Sequence, residues 1–459
     1  MRIKYTEMRL EECMDTIVDY RGKTPKKSNS GIPLITAKIV KNGQLQDVTE
    51  FIAKGDYNSW MTRGLPLPGD IVLTTEAPLG EVAQLDERKV ALAQRIITLR
   101  GKKGLLSNDY LLYLLQSSFV QNQLNGRASG STVTGIKQSE LREIILKFPS
   151  IQIQKYVSAQ LKSIEQKIFI NKEINKTLEQ ISQTLFKSWF VDFDPVIDNA
   201  LEAGNPIPDS LHKRANLRQK VRNSPDFKPL SEEIRTLFPA EFEETELGWV
   251  PKGWNIYTLF EASSFLKRGI SPKYIEDGGV QVINQKCIRN HEINFSLCRR
   301  NNTELKKVSG YELELGDILI NSTGVGTLGR MAQVRFLPEN SVVDSHVTVV
   351  RANETLCPKY TFGQLLMLQE NVIEQLGEGS TGQTELNRKV LSDQKILLPN
   401  PPLSKYVEKY ILNISEKIAF NSIQIQSLTQ LRDTLLPKLI SGELSLDDLP
   451  ETVTETKCA

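Results

Sequence analysis

Between Tyr156 and Phe190 the apolar side chains fall at Val157, Leu161, Ile164 and Ile168, then at Ile174, Leu178, Ile181 and Leu185. Steps of three and four residues are the spacing of a helix that lays one apolar seam against another helix. The same seam returns between Tyr406 and Leu439, at Val407, Ile411, Ile414, Ile418, Ile425, Leu428, Leu431 and Leu435. Asn171 interrupts the first seam and Asn421 the second, 250 positions apart. A seam that recurs with its polar interruption at a fixed offset marks a duplicated unit.

The pattern ahead of each seam is different. PLITAKIV, the run around IVLTTEAPLGEVAQL and ALAQRIITLR read as short buried strands between Gly and Pro turns. NDYLLYLLQ then switches to helical spacing. These pieces recur: GIPLITAKIVKNGQL (31–45) matches GVQVINQKCIRNHEI (279–293), and PGDIVLTTEAPLGEVAQL matches LGDILINSTGVGTLGRMAQV. Asp70 meets Asp317, Tyr110 meets Tyr360 and Pro149 meets Pro399. The predicted layout is therefore globular domain 1–152, helix 153–190, connector 191–246, globular domain 247–402, helix 403–442 and a short tail 443–459 that is expected to fray. The connector carries Trp189, Phe190, Phe193, Phe238, Phe242, Trp249 and Trp254 in or beside it, which predicts an ordered piece with short helices.

Composition narrows the function only a little. A 459-residue chain is too long for one core. Mean hydropathy of −0.29 fits a soluble protein, and no run of about 18 apolar residues suggests a membrane span. Five scattered cysteines without a close pair point to a reducing, cytoplasmic setting. Net charge is only +2, so a nucleic-acid surface would have to arise by local segregation, as around Arg21, Lys23, Lys26 and Lys27 or Lys267, Arg268 and Lys273. A basic loop is more commonly a solvated surface.

Catalytic signals dissolve on inspection. GVGTLG (324–329) fits a dinucleotide pattern, but a strand-like RMAQVRF follows it where a helix is required. Asn400-Pro401-Pro402-Leu403 resembles an adenine methyltransferase motif but has Leu where an aromatic residue stacks on the base. Prolines that end a strand before a helix account for it. Three separated histidines make a zinc site a poor reading. The chain is expected to be non-catalytic and to hold no metal or cofactor of its own.

LFKSWFVDFDPV (185–196), LFPAEFEETELGWVPKGW (237–254), GSTVTGI (130–136) and LRDTLLPKLISGEL (431–444), set in this duplicated frame, closely resemble the specificity subunit of type I restriction–modification enzymes. The resemblance implies an α+β fold: two pseudo-repeated target recognition domains joined by two long helices in an antiparallel coiled coil. It implies that each domain reads one half of a split, asymmetric site in double-stranded DNA. Two methyltransferase subunits would dock beside the helices and motor-nuclease subunits would join to cut. S-adenosylmethionine, ATP and Mg are then expected on those partners. Some 35 helical residues span roughly 50 Å, enough to set two readers about one turn of DNA apart, roughly 35 Å. Asn171 and Asn421 would meet and fix helix register.

Residue type and loop position single out candidate DNA contacts: Arg21, Lys38, Thr75, Arg95 and Thr132 in the first domain, and Arg268, Lys286, Ser322, Arg330, His346 and Thr381 in the second. Two other readings compete. A protein-interaction scaffold bridging two partners predicts no salt-dependent duplex binding. A self-contained adenine methyltransferase predicts S-adenosylmethionine binding by the isolated chain.

Overall fold

The computed structural model describes residues 4–130, 134–324, 326–378 and 385–443. Two compact units divide the chain, Met1–Ile170 with Gln424–Ala459 and Asn171–Ile423. The tail expected to fray lies outside the described residues from 444 onward.

The first unit is built on an antiparallel sheet of β1 (Met14–Asp19), β2 (Ile71–Thr75), β3 (Leu79–Gln84) and β4 (Ile96–Gly101), in the order β1-β4-β2-β3. Strand β2 is apolar without alternation because both of its faces are covered. Ile71 and Leu73 pack with helix α1 (Asn108–Gln116), while Val72 packs on the other side with Leu34, Ile35 and Leu92. Helix α1 begins where the Ser107 hydroxyl accepts from the Tyr110 N–H. A short helix at Leu10–Cys13 runs directly into β1.

The second unit repeats this plan. Strands β5 (Ser263–Arg268), β6 (Ile318–Asn321), β7 (Met331–Gln333) and β8 (Val347–Ala352) take the order β5-β8-β6-β7. Ile318 and Ile320 face the helix side of the core, and Leu319 faces the opposite side with Val347 and Val349. The Gly-Asp before each central strand does the same work twice. Gly69 and Gly316 take φ of 85° and 97°, a region that favours glycine, and turn the chain into β2 and β6. The following carboxylates, Asp70 and Asp317, are each 1% exposed.

Two long helices carry the seams, α2 at Ile151–Phe186 and α4 at Pro401–Ser441, with α3 (Asp194–Ala203) in the connector between them. Asn400 accepts from the Leu403 N–H at 2.9 Å, so the Asn-Pro-Pro stretch is a helix start that follows the strand at Lys395–Leu398. Each compact unit uses a part of both helices. In the first, Val157 and Leu161 of α2 share a core with Leu439 and Ile440 of α4. In the second, Phe186 shares a core with Leu403, Val407 and Ile411. The pairing is antiparallel.

The register differs from expectation by one helical turn. Asn421 donates to the side chain of Asn175, not Asn171, at 2.8 Å, and Asn175 donates to the Ile418 carbonyl at 3.3 Å and the Ser422 hydroxyl at 3.2 Å. Seam spacing defines which faces meet but not the stagger between antiparallel helices. Asn171 is equally buried, at 2% exposure, and is engaged as well. Replacing Asn175 with Leu is expected to cost about 1–3 kcal/mol, because the Asn421 amide loses its acceptor inside the seam. Replacing both with Leu should recover most of that. A double-mutant cycle by urea unfolding measures the coupling.

The connector is ordered by its aromatic residues. Phe186, Phe190, Phe193, Phe238 and Trp254 enter the second unit's core. Helix α3 and the helix at His212–Arg222 are clamped by ion pairs from Arg214 to Asp194 and from Arg218 to Asp198.

Candidate nucleic-acid interface

At the end of β2 the chain reads Thr74-Thr75-Glu76, and at the end of β6 it reads Asn321-Ser322-Thr323. Both ends receive the same backbone partners. The Thr75 N–H donates to the Arg95 carbonyl at 3.0 Å, and the Ile136 N–H donates to the Thr75 carbonyl at 3.0 Å. In the second unit the Ser322 N–H donates to the His346 carbonyl at 2.8 Å, and the Leu386 N–H donates to the Ser322 carbonyl at 2.9 Å. An arginine from the end of the edge strand completes each cluster. Arg21 Nη1 reaches the Ile136 carbonyl at 2.8 Å, and Arg268 Nη2 reaches the Leu386 carbonyl at 2.8 Å.

The fold thus gathers Arg21, Thr75 and Arg95 into one cluster and Arg268, Ser322 and His346 into a second, on the same framework. The polar tips differ. Arg95 is 53% exposed and pairs with Glu76 at 2.9 Å. His346, at the matching place, is exposed and shares a 2.8 Å hydrogen bond with the Thr323 hydroxyl. Arg21 is paired with Asp19 at 2.7 Å, and Arg268 is paired with Glu385. Ion pairs this close to solvent contribute about 0–1 kcal/mol, so a phosphate or a base edge can replace the carboxylate at little cost.

Two candidates change role. Thr75 is 1% exposed and Ser322 is 0% exposed, so neither hydroxyl is placed for contact with a groove. The Ser322 hydroxyl is 2.6 Å from that of Thr348, whereas Thr75 Oγ1 has no hydrogen-bond partner among the described residues. Both are corrected from contacts to buried supports: their backbone groups tie the cluster together. Lys38 lies apart, 80% exposed and 3.7 Å from Glu50. Lys286 is exposed beside Gln285, whose side chain accepts from the Thr323 hydroxyl at 3.1 Å. Arg330 folds its guanidinium onto the Gly326 carbonyl at 2.6 Å. Thr132 and Thr381 lie outside the described residues.

Residue type alone missed Glu76 and Thr323, which hold the tips of Arg95 and His346. A signal for them existed: they occupy matched positions directly after Thr75 and Ser322 in the repeat.

The family model for the type I restriction modification DNA specificity domain matches residues 4–180 and again 251–429. The MjaIX specificity subunit of Methanocaldococcus jannaschii, a type I restriction enzyme component, is 25% identical over 439 residues, covering 91% of this chain and 88% of that one. The HindI specificity subunit of Haemophilus influenzae is 23% identical over 382 residues, covering 77% and 81%. Among solved structures, the S subunit of a type I restriction–modification system from M. genitalium superposes with a TM-score of 0.58 at 16% identity, covering 95% of this chain and 96% of that one, which shows a shared fold.

Proposed function

The chain belongs to the type I restriction–modification DNA specificity family, and on that premise we propose that each of its two clusters reads one half of a bipartite DNA site. One observation carries the proposal. The same backbone frame presents Arg95 with Glu76 in one unit and His346 with Thr323 in the other, so one architecture offers two different hydrogen-bonding faces. Arginine suits the O6/N7 edge of guanine and a carboxylate suits the amino group of cytosine, whereas histidine and threonine suit other edges. Two unlike readers on one chain match an asymmetric, split sequence.

The chain then supplies recognition and leaves chemistry to partners, with S-adenosylmethionine, ATP and Mg2+ bound on those subunits. Two methyltransferase subunits fit the duplicated helices, because exposed apolar side chains recur at matched positions: Ile170 with Phe420, and Ile181 with Leu431. Such side chains at repeat-related places can receive the same partner surface twice. The helices fix the spacer between half-sites, and motor-nuclease subunits complete the restriction complex. Among the described residues no helix is long and apolar enough to cross a membrane. The reading places the chain in the cytoplasm, where its DNA is.

Mapping methylated adenine across the genome, with and without this chain, tests the proposal directly. Loss of a bipartite mark supports it, and an unchanged methylome refutes it. In the assembled methyltransferase complex, Arg95→Ala should cost about 1–3 kcal/mol of binding and relax sequence preference in one half-site only. His346→Ala should relax the other half. Affinity should fall steeply with salt for all of them. The scaffold reading requires the opposite, no salt-dependent duplex binding at all.

A further inference from the structure

Cys287 and Cys298 look unrelated in sequence, yet their Sγ atoms lie 3.8 Å apart in the second unit. Cys287 closes the short turn Gln285–Cys287 and is 0% exposed. Cys298 follows the turn Phe295–Leu297 and is half-buried. The two turns are stitched by backbone and side chain: the Asn294 N–H donates to the Cys287 carbonyl at 2.8 Å, and Asn284 Nδ2 donates to the Leu297 carbonyl at 3.4 Å. The sulfurs are therefore held as neighbours and not brought together by chance. A bond of about 2.0 Å needs only a further approach of roughly 1.8 Å.

We propose that Cys287 and Cys298 are a redox modification site, oxidised to a disulfide by low-molecular-weight disulfides, and that this bond weakens DNA reading by the second unit. The second half of the proposal rests on the function proposed above. In the first step the Cys298 thiolate, the one solvent reaches, attacks one sulfur of the reagent and expels a thiolate. In the second, the Cys287 thiolate attacks Cys298 Sγ, the protein S–S bond forms and the second reagent thiolate leaves. The two thiol protons end on the released thiolates, so the protein loses two electrons and the reagent gains them. The hydrogen bond between the two thiols already places Cys287 Sγ against Cys298 Sγ, which suits it to resolve the mixed disulfide. The same bond, aided by burial, raises Cys298, so the first attack is the slow step and quickens with pH.

The consequence for reading follows from what the first turn touches. Asn321 Nδ2 donates to the Gln285 carbonyl at 3.1 Å, and the Thr323 hydroxyl donates to the Gln285 side chain at 3.1 Å. Thr323 also holds His346. Drawing Cys287 toward Cys298 pulls Gln285 and Lys286 with it and disturbs the support under the His346 tip. Cys13 and Cys357 do not compete, because both thiols are buried, at 0% and 1% exposure, where the reagent does not reach them.

The test treats the full chain with oxidised glutathione at mildly alkaline pH and maps its peptides by mass. The expected product links the peptides of Cys287 and Cys298, two hydrogens lighter and with no glutathione retained. Cys298→Ser, a near-isosteric change, should give no link. A gel-shift series on the recognised duplex should show about tenfold weaker binding by the linked chain, restored by dithiothreitol. A glutathione adduct that persists on Cys298, or no reaction there, overturns the disulfide. A linked chain that binds as tightly as the reduced one overturns the effect on reading. If the reduced chain itself binds no duplex, the function proposed above fails, while the peptide map still decides the disulfide.

Discussion

Replacing Arg100 or Arg351 with Met is expected to destabilise its own unit by about 3–5 kcal/mol, the cost of stranding a buried carboxylate. Arg100 grips Asp70 through Nε at 2.7 Å and Nη2 at 2.8 Å. Arg351 grips Asp317 through Nε at 2.7 Å and Nη2 at 2.9 Å. Each carboxylate also accepts a backbone N–H of its own turn at 2.8 Å, from Leu67 in one unit and Glu314 in the other. The pair therefore fastens the turn that launches the central strand to the strand beside it. Coupling Arg100→Met with Asp70→Asn should recover much of the loss, because a neutral amide oxygen still accepts from Leu67 and no charge stays buried. The urea midpoint of each variant checks both statements. Equal midpoints for Arg100→Met and the unaltered chain would show that water already solvates Asp70.

Much of this frame was legible in the chain itself. The long helices stand out because apolar residues at steps of three and four, kept up over eight positions, line one face of a helix and scatter over both faces of a strand. The sheets stand out because short apolar runs such as Ile71–Leu73 and Ile318–Ile320 lie between turn signals. Comparing the two halves located Asp70 with Asp317 before any partner was visible. Three things were not legible, each for a physical reason. The seam defines a face but not an antiparallel stagger, which is why Asn421 meets Asn175. The hydroxyls of Thr75 and Ser322 have the chemistry of contacts, but residue type does not reveal that neighbouring strands cover them. Cys287 and Cys298 are brought together by two separate turns, and ten intervening residues hide that.

The repeat breaks at one small hairpin. Asn42-Gly43 turns it in the first unit with φ of 52° and 79°, and Asn290-His291 turns it in the second with φ of 52° and 60°. A histidine in the left-handed region is strained relative to glycine, so something must hold it there. His291 Nε2 lies 2.7 Å from Glu370, and Nδ1 lies 3.6 Å from Glu179, which also takes Arg335 at 2.6 Å. The carboxylates of Glu179, nearby, and Glu370, hydrogen-bonded, raise His291 from 6.5 to about 9, against burial. Burial alone would raise Glu179, but His291, Arg335 and Gln183 hold it down at about 2.

A raised histidine contributes its full share of stability below its unfolded value of 6.5 and loses it as pH climbs through about 9. A depressed carboxyl contributes above its unfolded value of 4.5 and loses its share as pH falls through about 2. Both describe one contact, so they are not added. The network is strongest between those two unfolded values, and the histidine share is about 3 kcal/mol. Glu179→Gln should therefore cost about 3–5 kcal/mol near pH 6, where it leaves Arg335 and a charged His291 without their shared carboxylate. His291→Gly relieves the turn but forfeits the ion pairs. It should be destabilising near pH 6 and close to neutral above pH 9, where the imidazole has lost its proton. Urea unfolding of the three chains across that range decides the matter, since a His291→Gly penalty that stays flat with pH would mean the imidazole serves by packing and not by charge.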